Sequence, residues 1–174
     1  TGDIIAKDKV EILDNETADQ VHDKLALLGG KILKEVISLF EDGHPIGIPQ
    51  ENDMASYCKK IDKSMCELDW DNDAIELKNL IRGLTPWPGA YTYLKDKRIK
   101  VWKTREWEKS LSNEERPGTI VVADINEGLV VSCRNSFLQI VELQGEGGRR
   151  MSSEEYLRGN QITVGSILGR QESE

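Results

Sequence analysis

The segment "LTPWPGAYTYL", residues 84–94, divides the chain into two kinds of sequence. Each proline fixes its own φ at about −65° and biases the preceding residue toward extended backbone, so a helix ends here. Before the segment, apolar residues recur every three or four positions, which predicts helices; after it they alternate, which predicts strands. We therefore interpret Trp87, Pro88 and Gly89, together with Arg82 on the preceding helix, as a structural joint between a helix and a first β-hairpin.

A long amphipathic helix is predicted well before the joint, between residues 17 and 43. Thr17 and Gln20 form a capping-box pattern at its start, and Gly43 is a natural left-handed stop at its end. Its apolar stripe consists of Val21, Leu25, Leu28, Ile32, Val36 and Phe40.

A half-buried strand is predicted in front of that helix, where Ile4, Ala6, Val10 and Ile12 fall on one face of an extended chain. One strand and one helix cannot cover each other's apolar faces without further strands. We therefore expect residues 1–43 to be the end of a larger α/β domain whose sheet lies upstream. On this interpretation the chain is an excised fragment.

The rest of the chain predicts a linker and a mainly β domain. Residues 44–66 carry two prolines, a glycine and no clear period, which is typical of an extended linker. In residues 67–174 a short strand from Leu68 and a helix of about a dozen residues precede the joint, and a last short helix begins at Ser152 and Glu155 and ends at Gly159.

Five β segments follow the joint in residues 67–174. "AYTYL" and "RIKVWKTREW" flank "KDK" as a hairpin, "GTIVVADI" and "GLVVSC" flank a second turn, and "FLQIVELQ" is the fifth segment. Short strands with small helices at this density predict an OB-like small closed barrel, and an SH3-like barrel fits the pattern nearly as well.

The composition limits the kinds of function. Hydrophobic residues make up 38% of the 174 residues, which is enough for a folded core, and the formal net charge is −8. An acidic chain does not coat nucleic acid by bulk charge, so any such contact must be local. No run approaches the roughly eighteen apolar residues of a membrane span, and we expect a cytoplasmic protein without membrane contact.

Metal binding is not indicated. The three cysteines, Cys58, Cys66 and Cys133, cannot all pair within the chain and lack a metal-site spacing, so we expect reduced thiols. His22 and His44 are equally isolated, and structural or surface roles are predicted for both.

Catalytic motifs are also lacking. No nucleophile–base pair is apparent, and "GEGGRR" lacks the strand-before, helix-after setting of a phosphate loop. Asp69, Asp71 and Asp73 cluster where a helix begins, so capping and the helix dipole explain them better than general acid chemistry.

Three basic groups stand out against the acidic background. They are Lys59, Lys60 and Lys63 in the linker, Lys95, Lys97, Arg98, Lys100, Lys103 and Arg105 on the hairpin, and Arg149 with Arg150. On the hairpin, six basic residues stand against the single acid Asp96, and such a local excess suits a phosphate backbone. The alternative is a solvated hairpin whose lysines keep an edge strand from aggregating, with Trp102 as a core or rim aromatic.

The order of several motifs resembles the methionyl-tRNA formyltransferase family. "LDW", "LIRGLTPWPGAYTYL", "RIKVW", "PGTIV", "GLVVSC", "LQIVELQ", "GRRM" and "LRG" are similar to the C-terminal domain of that family. "TGDIIAK" and "ETADQVHDKLALLG" resemble the end of its Rossmann-like formyltransferase domain, and "MASYCKKIDKSM" resembles the segment that joins the two.

The resemblance implies a reaction and a division of labour. The family transfers a formyl group from 10-formyltetrahydrofolate to the amino group of methionyl initiator tRNA, in translation initiation. Its catalytic Asn, His and Asp would fall upstream, so that Thr1, Gly2 and Asp3 only border the active site. We expect this chain to lack catalytic residues, to bind no folate or metal by itself, and to be inactive alone.

The same resemblance implies that the chain positions initiator tRNA. The expected contacts are Lys59, Lys60, Lys63, Lys97, Arg98, Lys100, Lys103, Arg149 and Arg150. The folate co-substrate would act through the missing N-terminal domain. We expect a monomeric parent protein, and self-association of the fragment through exposed apolar residues of its long helix.

Two other hypotheses fit the sequence. The chain could be an OB-like binding module without an enzymatic parent, or the C-terminal part of an amino-sugar nucleotide N-formyltransferase. The coding sequence upstream would distinguish the formyltransferase hypothesis from the binding module, because the formyltransferase hypothesis requires an Asn, a His and an Asp before Thr1.

Overall fold

The computed structural model describes residues 2–41, 43, 46–108 and 115–170. They fall into two compact units, Thr1–Ile61 and Asp62–Glu174. Thr1 and His44, which the sequence analysis singled out, lie outside the described residues.

The first unit contains the predicted long helix, α1 (Ala18–Glu41). The Thr17 amide donates to Gln20 Oε1 at 2.9 Å, which confirms the predicted start, and Gly43 has a φ of 147° just beyond the end. The α1 side chains are half-buried or exposed. Of the predicted stripe, Val21, Leu28, Ile32 and Val36 are half-buried, whereas Leu25 and Phe40 are exposed.

The predicted N-terminal strand is wrong. Within residues 2–17, only Ile4 has a β partner: it forms an isolated antiparallel bridge with Ile48, with both N···O distances at 2.9 Å. Alternation marks the face that a strand would bury, but a strand also needs a neighbour for its backbone groups, and Ile4 finds a partner only at Ile48. A 3₁₀ turn, Asn52–Met54, follows in this unit.

The second unit is built on an antiparallel sheet. Its strands are β1 (Ala90–Leu94), β2 (Lys97–Glu106), β3 (Ile120–Asp124), β4 (Gly128–Ser132), β5 (Phe137–Gly145) and β6 (Met151–Ser152). The sheet order is β1-β2-β5-β4-β3, and β6 pairs with β5. Lys95 and Asp96 have φ of 48° and 64°, as a tight β1–β2 turn requires.

Short helices flank the sheet. A 3₁₀ turn, Lys63–Cys66, precedes α2 (Ala74–Leu84), and α3 (Ser153–Gly159) follows β6. The short strand predicted from Leu68 is wrong, because the chain there makes only an isolated bridge among the described residues, from Glu67 to Tyr91. Asp73 and Glu76 form a capping box on α2, which confirms the predicted capping role for Asp73. Asp69 instead accepts a hydrogen bond from the Asp71 amide at 3.0 Å, in the turn before the helix. Ser152 caps α3 by accepting a hydrogen bond from the Glu155 amide, also as predicted.

The core lies between α2 and one face of the sheet. Its most deeply buried side chains are Leu77, Ile81, Val101, Ile120, Leu129, Val131, Leu138, Ile140 and Leu143. The helix α2 contacts β1, β2 and β5, whereas α3 contacts β3, β4, β5 and β6. Both helices therefore close over a single sheet.

The C-terminal segment, residues 165–169, hydrogen-bonds to both ends of the sheet order. The Gly169 amide donates to Tyr93 O at 2.9 Å, beside β1, and the Leu168 amide donates to Gly118 O at 2.8 Å, before β3. The strand path itself is open, since the pairing of the described strands runs from β1 to β3 without joining these two. The predicted mainly antiparallel domain with short helices is thus confirmed, and the closed barrel stays a prediction.

The proline-framed joint is held by backbone contacts. The Gly89 amide donates to Leu84 O at 2.9 Å, and Thr85 Oγ1 donates to Ile81 O at 2.8 Å. The Thr85–Pro86 and Trp87–Pro88 peptide bonds are both cis. The Trp87 side chain adds no packing to this joint, because the residue is 79% exposed.

Further observations concern membrane spans, metal-binding groups and the cysteines. None of the helices in the described ranges is long and apolar enough to cross a membrane. Across the same ranges, His, Cys, Asp and Glu side chains form no group of three that could hold a metal ion. Cys58 is exposed, whereas Cys66 and Cys133 are buried.

Candidate nucleic-acid interface

The candidate site is the solvent side of β1, β2 and β5. Strand pairing sets Tyr91 opposite Lys100 and Tyr93 opposite Arg98, and it sets Lys100 opposite Gln144. Because side chains alternate along a strand and the intervening Ile99 is buried, these residues face away from the core.

Two arginines from outside these strands join the same surface. We call the whole surface the cation–aromatic face, and it consists of Tyr91, Tyr93, Arg98, Lys100, Trp102, Gln144, Arg150 and Arg170. Arg150 directly precedes β6, and Arg170 follows the segment that borders β1.

Each ring of this face carries a cation. Arg98 Cζ lies 5.1 Å from the centre of the Tyr91 ring, and Arg170 Cζ lies 5.2 Å from that of Tyr93. The Trp102 ring carries two cations, Lys100 Nζ at 5.5 Å and Arg150 Cζ at 5.2 Å. The ring quadrupole attracts the positive charge, so each contact favours the position of the cation over its ring.

Trp102 is the centre of this arrangement. Its indole Nε1 donates to Gln144 Oε1 at 3.3 Å, and a Cβ at position 89 would lie only 3.8 Å from its ring, so Gly89 packs beside it. The β2–β5 register shifts on either side of Lys103, next to Trp102. Trp102 is half-buried, as expected of the rim aromatic that the sequence analysis considered.

Acidic side chains orient two of the arginines. Arg150 Nε lies 2.6 Å from Glu142 Oε2, and Arg170 Nε lies 3.2 Å from Glu67 Oε1. Arg170 Nη2 also donates to the Tyr93 hydroxyl at 3.4 Å. That hydrogen bond, with the Glu67 carboxylate, raises the pKa of Arg170.

A groove of about 480 Å³ opens on this face. Tyr93, Arg98, Lys100 and Gln144 line it together with Gly145, at the end of β5, and Gly147 in the turn that follows. Asp96 and Glu146 line it as well, so the groove combines two cations with two carboxylates. The formal charge of the groove lining is therefore balanced.

The predicted cations divide into three classes. Arg98, Lys100 and Arg150 lie on rings, and Arg149 pairs with Glu155 of α3 at 3.8 Å. The third class is exposed and has no hydrogen bond or ion pair with the described residues: Lys59, Lys60, Lys63, Lys97 and Lys103. The structure thus brings Arg98, Lys100 and Arg150 together and leaves the other predicted cations off the rings.

Three further predicted residues have local roles. Arg105 Nε donates to Gln139 Oε1, and Gln139 in turn donates to the Glu127 carbonyl at 2.6 Å. Arg82 Nε donates to Asn79 Oδ1 at 2.8 Å, within α2. Lys95 lies in the β1–β2 turn.

Gly2 and Asp3 lie beside the segment that carries Ile48. Gln50 Nε2 donates to Gly2 O at 2.6 Å, and a Cβ at Gly47 would lie 2.5 Å from Asp3 Cβ. Both residues are exposed. Their predicted position at the border of an active site stays a prediction.

Sequence reasoning missed four residues of the face: Tyr91, Tyr93, Gln144 and Arg170. A signal existed for the tyrosines, because the alternation in "AYTYL" puts both on one side of the strand. No sequence signal connects Arg170 to β1, since the contact spans 77 positions.

Solved structures of the protein HypX from Aquifex aeolicus share this fold. One variant superposes with a TM-score of 0.63 at 17% identity, over 90% of this chain and 28% of HypX. Another has a TM-score of 0.63 at 16% identity, over 99% of this chain and 33% of HypX. A HypX complex with tetrahydrofolic acid has a TM-score of 0.54 at 17% identity, over 73% of this chain and 22% of HypX. At these identities the likeness concerns the fold alone.

Curated sequences give a closer relationship. Methionyl-tRNA formyltransferase of Ruminiclostridium cellulolyticum is 36% identical over 170 residues, which are 98% of this chain and 54% of that protein. Those of Acetivibrio thermocellus and Alkaliphilus oremlandii are 39% and 40% identical, over 98% and 97% of this chain and 54% and 53% of theirs. The chain therefore spans about half the length of these relatives.

The family model for the formyl transferase C-terminal domain matches residues 60–161. That match covers α2, all six strands and α3, and thus includes every strand of the cation–aromatic face. The chain belongs to the formyl transferase C-terminal domain family.

Proposed function

We propose that this chain positions initiator tRNA for N-formylation as part of a methionyl-tRNA formyltransferase. The reaction would move the formyl group of 10-formyltetrahydrofolate to the amino group of the esterified methionine. The names of the relatives, at 36% to 40% identity, support this assignment. They also favour a tRNA acceptor over an amino-sugar nucleotide.

The observation that carries the proposal is the set of cations held on aromatic rings. A phosphate backbone is bound by guanidinium and ammonium groups, and side chains that are already ordered lose less conformational entropy on binding. Lys100 and Arg150 both lie on the Trp102 ring, so two positive charges are fixed within one small area. In a chain with a net charge of −8, such a local concentration is what phosphate binding requires.

The predicted tRNA contacts can then be ranked by whether each cation lies on an aromatic ring. Arg98, Lys100 and Arg150 would make the first phosphate contacts, with Arg170 beside them. The exposed lysines would add mobile charge around this site: Lys59, Lys60, Lys63, Lys97 and Lys103. Arg149 is the weakest candidate, because it pairs with Glu155 and lies on none of the rings. Arg150 also pairs with a carboxylate, that of Glu142, but the Trp102 ring holds it on the face. These contacts would position the RNA without reading its sequence.

The chemistry would belong to the part of the relatives that this chain does not match. Attack of a neutral amine on a formyl carbon needs a group that accepts a proton and donors that stabilise the developing oxyanion. We assign those groups, and the folate contacts, to that other part. We expect the chain by itself to show no formyl transfer, with Gly2 and Asp3 only at the border of the active site.

The architecture and location are parts of the same proposal. Hydrogen bonds from residues 165–169 to both ends of the sheet order support an OB-like closed barrel. The free thiols of Cys58, Cys66 and Cys133 support a reducing, cytoplasmic compartment.

A filter-binding titration of the 174-residue chain with initiator methionyl-tRNA tests the proposal. Log affinity should fall linearly with log salt, and Lys100→Gln and Arg150→Gln should each weaken binding and lower the slope by about one. Arg158→Gln, which removes the same charge from α3, is the matched control and should bind like the unmodified chain. Lack of binding even at low salt would reject the proposed function.

A further inference from the structure

We propose that the indole of Trp87 is a stacking surface for a nucleobase of the RNA that the cation–aromatic face holds by its phosphates. This inference rests on the proposed function. It adds a base contact to a site that otherwise carries charge alone.

Trp87 is unusually exposed for its residue type. The residue is 79% exposed, whereas Trp70 is 4% exposed and Trp102 is half-buried. The described residues offer the Trp87 side chain no hydrogen bond or ring contact. Leaving so large an apolar surface in water is unfavourable, and a partner that covers the ring would recover that free energy.

The backbone that carries Trp87 is held on both sides. Thr85 Oγ1 donates to Ile81 O at 2.8 Å, and the Gly89 amide donates to Leu84 O at 2.9 Å. The two neighbouring prolines have a fixed φ. A partner would therefore order little more than the indole's own two torsions, which keeps the entropic cost of binding low.

The position of the loop connects this ring to the cations. Thr85 Oγ1 lies 3.4 Å from the Trp102 carbonyl oxygen, and the Gly89 position lies beside the Trp102 ring. Trp87 thus stands between two residues that contact Trp102, and Trp102 carries Lys100 and Arg150. The loop that carries the exposed ring therefore borders the residue that holds these cations. A nucleotide, which combines a flat base with an anionic phosphate, is complementary to such a pair of features.

The other rings of the face are less suited to stacking. Arg98 lies over Tyr91 and Arg170 lies over Tyr93, so cations already occupy these positions. Among the described aromatic residues of the second unit, Trp87 is the one that is largely exposed. An apolar protein partner would bury Lys100 beside Trp102 without a counter-charge, because Glu142 pairs with Arg150, so the surroundings favour RNA.

The test compares two variants against two polyanions. Trp87→Leu keeps an apolar side chain but removes the aromatic ring, and Trp87→Phe keeps a smaller ring. One probe is a single-stranded RNA of mixed sequence and about twelve nucleotides. The other is inorganic polyphosphate, which presents the negative charge without bases. Thermal melting of each variant checks that the fold is retained.

We expect Trp87→Leu to bind the RNA about 5- to 100-fold more weakly, with an unchanged salt slope, and to bind polyphosphate like the unmodified chain. Trp87→Phe should retain most of the RNA affinity. Unchanged RNA binding by Trp87→Leu would overturn the inference while the proposed function stands. An equal loss for both probes would overturn it too, because the ring would then act only through the cations. If the unmodified chain binds initiator methionyl-tRNA but not the single-stranded RNA at low salt, the inference fails while the proposed function stands. If it binds neither RNA, both fail together.

Discussion

Arg150 Cζ lies 5.2 Å from the centre of the Trp102 ring, while its Nε lies 2.6 Å from Glu142 Oε2. The guanidinium is therefore held by an aromatic ring and by a carboxylate at the same time. Because Lys100 Nζ also lies over that ring, at 5.5 Å, one half-buried indole fixes two positive charges. Trp102 is therefore a positioning residue for Lys100 and Arg150, two cations that lie far from each other in the sequence.

Replacing Trp102 should weaken RNA binding without any change in charge. Without the ring, Lys100 and Arg150 must be ordered on binding at a cost of about 1–3 kcal/mol together, so Trp102→Leu should bind the proposed initiator tRNA roughly 5- to 150-fold more weakly. The salt slope should stay the same, since no cation is lost. In a fluorescence anisotropy titration, the affinity of Trp102→Phe, which keeps a ring, should lie between those of the unmodified chain and of Trp102→Leu. A Trp102→Leu chain that binds as tightly as the unmodified one would show that the ring does not position the cations.

Local signals account for most of the predicted fold. The α2 start at Asp73 and Glu76 and the α3 start at Ser152 depend on side chains within three residues of the cap, and both were predicted correctly. The N-terminal strand failed for the opposite reason. Its apolar alternation is present, but strand formation depends on a partner, and Ile4 finds only Ile48.

The candidate site was predictable only in its composition. The excess of cations on the hairpin can be counted, but their placement on rings depends on the β1–β2 register and on the irregular pairing around Lys103. Arg170 reaches Tyr93 only because residues 165–169 return to the sheet. Such tertiary contacts leave no periodic pattern in the chain.

Two glycines with the same backbone conformation should respond differently to alanine. Gly118 and Gly165 have φ of 88° and 89°, but a Cβ at Gly118 would lie 2.7 Å from Leu168 O, whereas Gly165 has open space around it. Gly165→Ala should cost about 1–2 kcal/mol of unfolding free energy from the left-handed conformation alone. Gly118→Ala should cost about 2–4 kcal/mol, because the C-terminal segment must also move. Urea unfolding of both variants measures the difference. Equal losses of unfolding free energy would show that the segment around Leu168 moves without a measurable cost.

The three thiols should differ sharply in reactivity. Burial raises the pKa of the Cys133 thiol from its ordinary 9.0 to about 12, and burial also raises that of Cys66. Only the thiolate reacts with a disulfide reagent, so at about pH 8 the native chain should be labelled rapidly at Cys58 and slowly elsewhere. A Cys58→Ser variant should lose the fast phase of labelling, and in denaturant its two remaining thiols, Cys66 and Cys133, should both be labelled. Rapid labelling of Cys133 in the native state would contradict its burial.

Self-association should depend on one face of α1. Leu33, Ile37 and Phe40 are spaced as neighbours along the helix and are all exposed. Contiguous apolar surface of this kind favours association, so the molar mass from light scattering should rise with concentration. A Leu33→Lys, Ile37→Lys double variant should remain monomeric, whereas Ser38→Lys, on the same helix, should associate like the unmodified chain. A monomeric mass for the unmodified chain at high concentration would contradict this expectation.

The buried hydrogen bond between Trp70 and Thr92 should stabilise the second unit specifically. Trp70 Nε1 donates to Thr92 Oγ1 at 3.0 Å, and the two residues are 4% and 0% exposed, so water cannot replace the hydroxyl. Thr92→Val keeps the shape but leaves the indole N–H without an acceptor, which should cost about 1–3 kcal/mol of unfolding free energy. In a Trp70→Phe background the donor is gone, and the same substitution should then cost much less. Urea unfolding of the four chains gives the coupling, and equal costs in the two backgrounds would show that the hydrogen bond does not stabilise the fold.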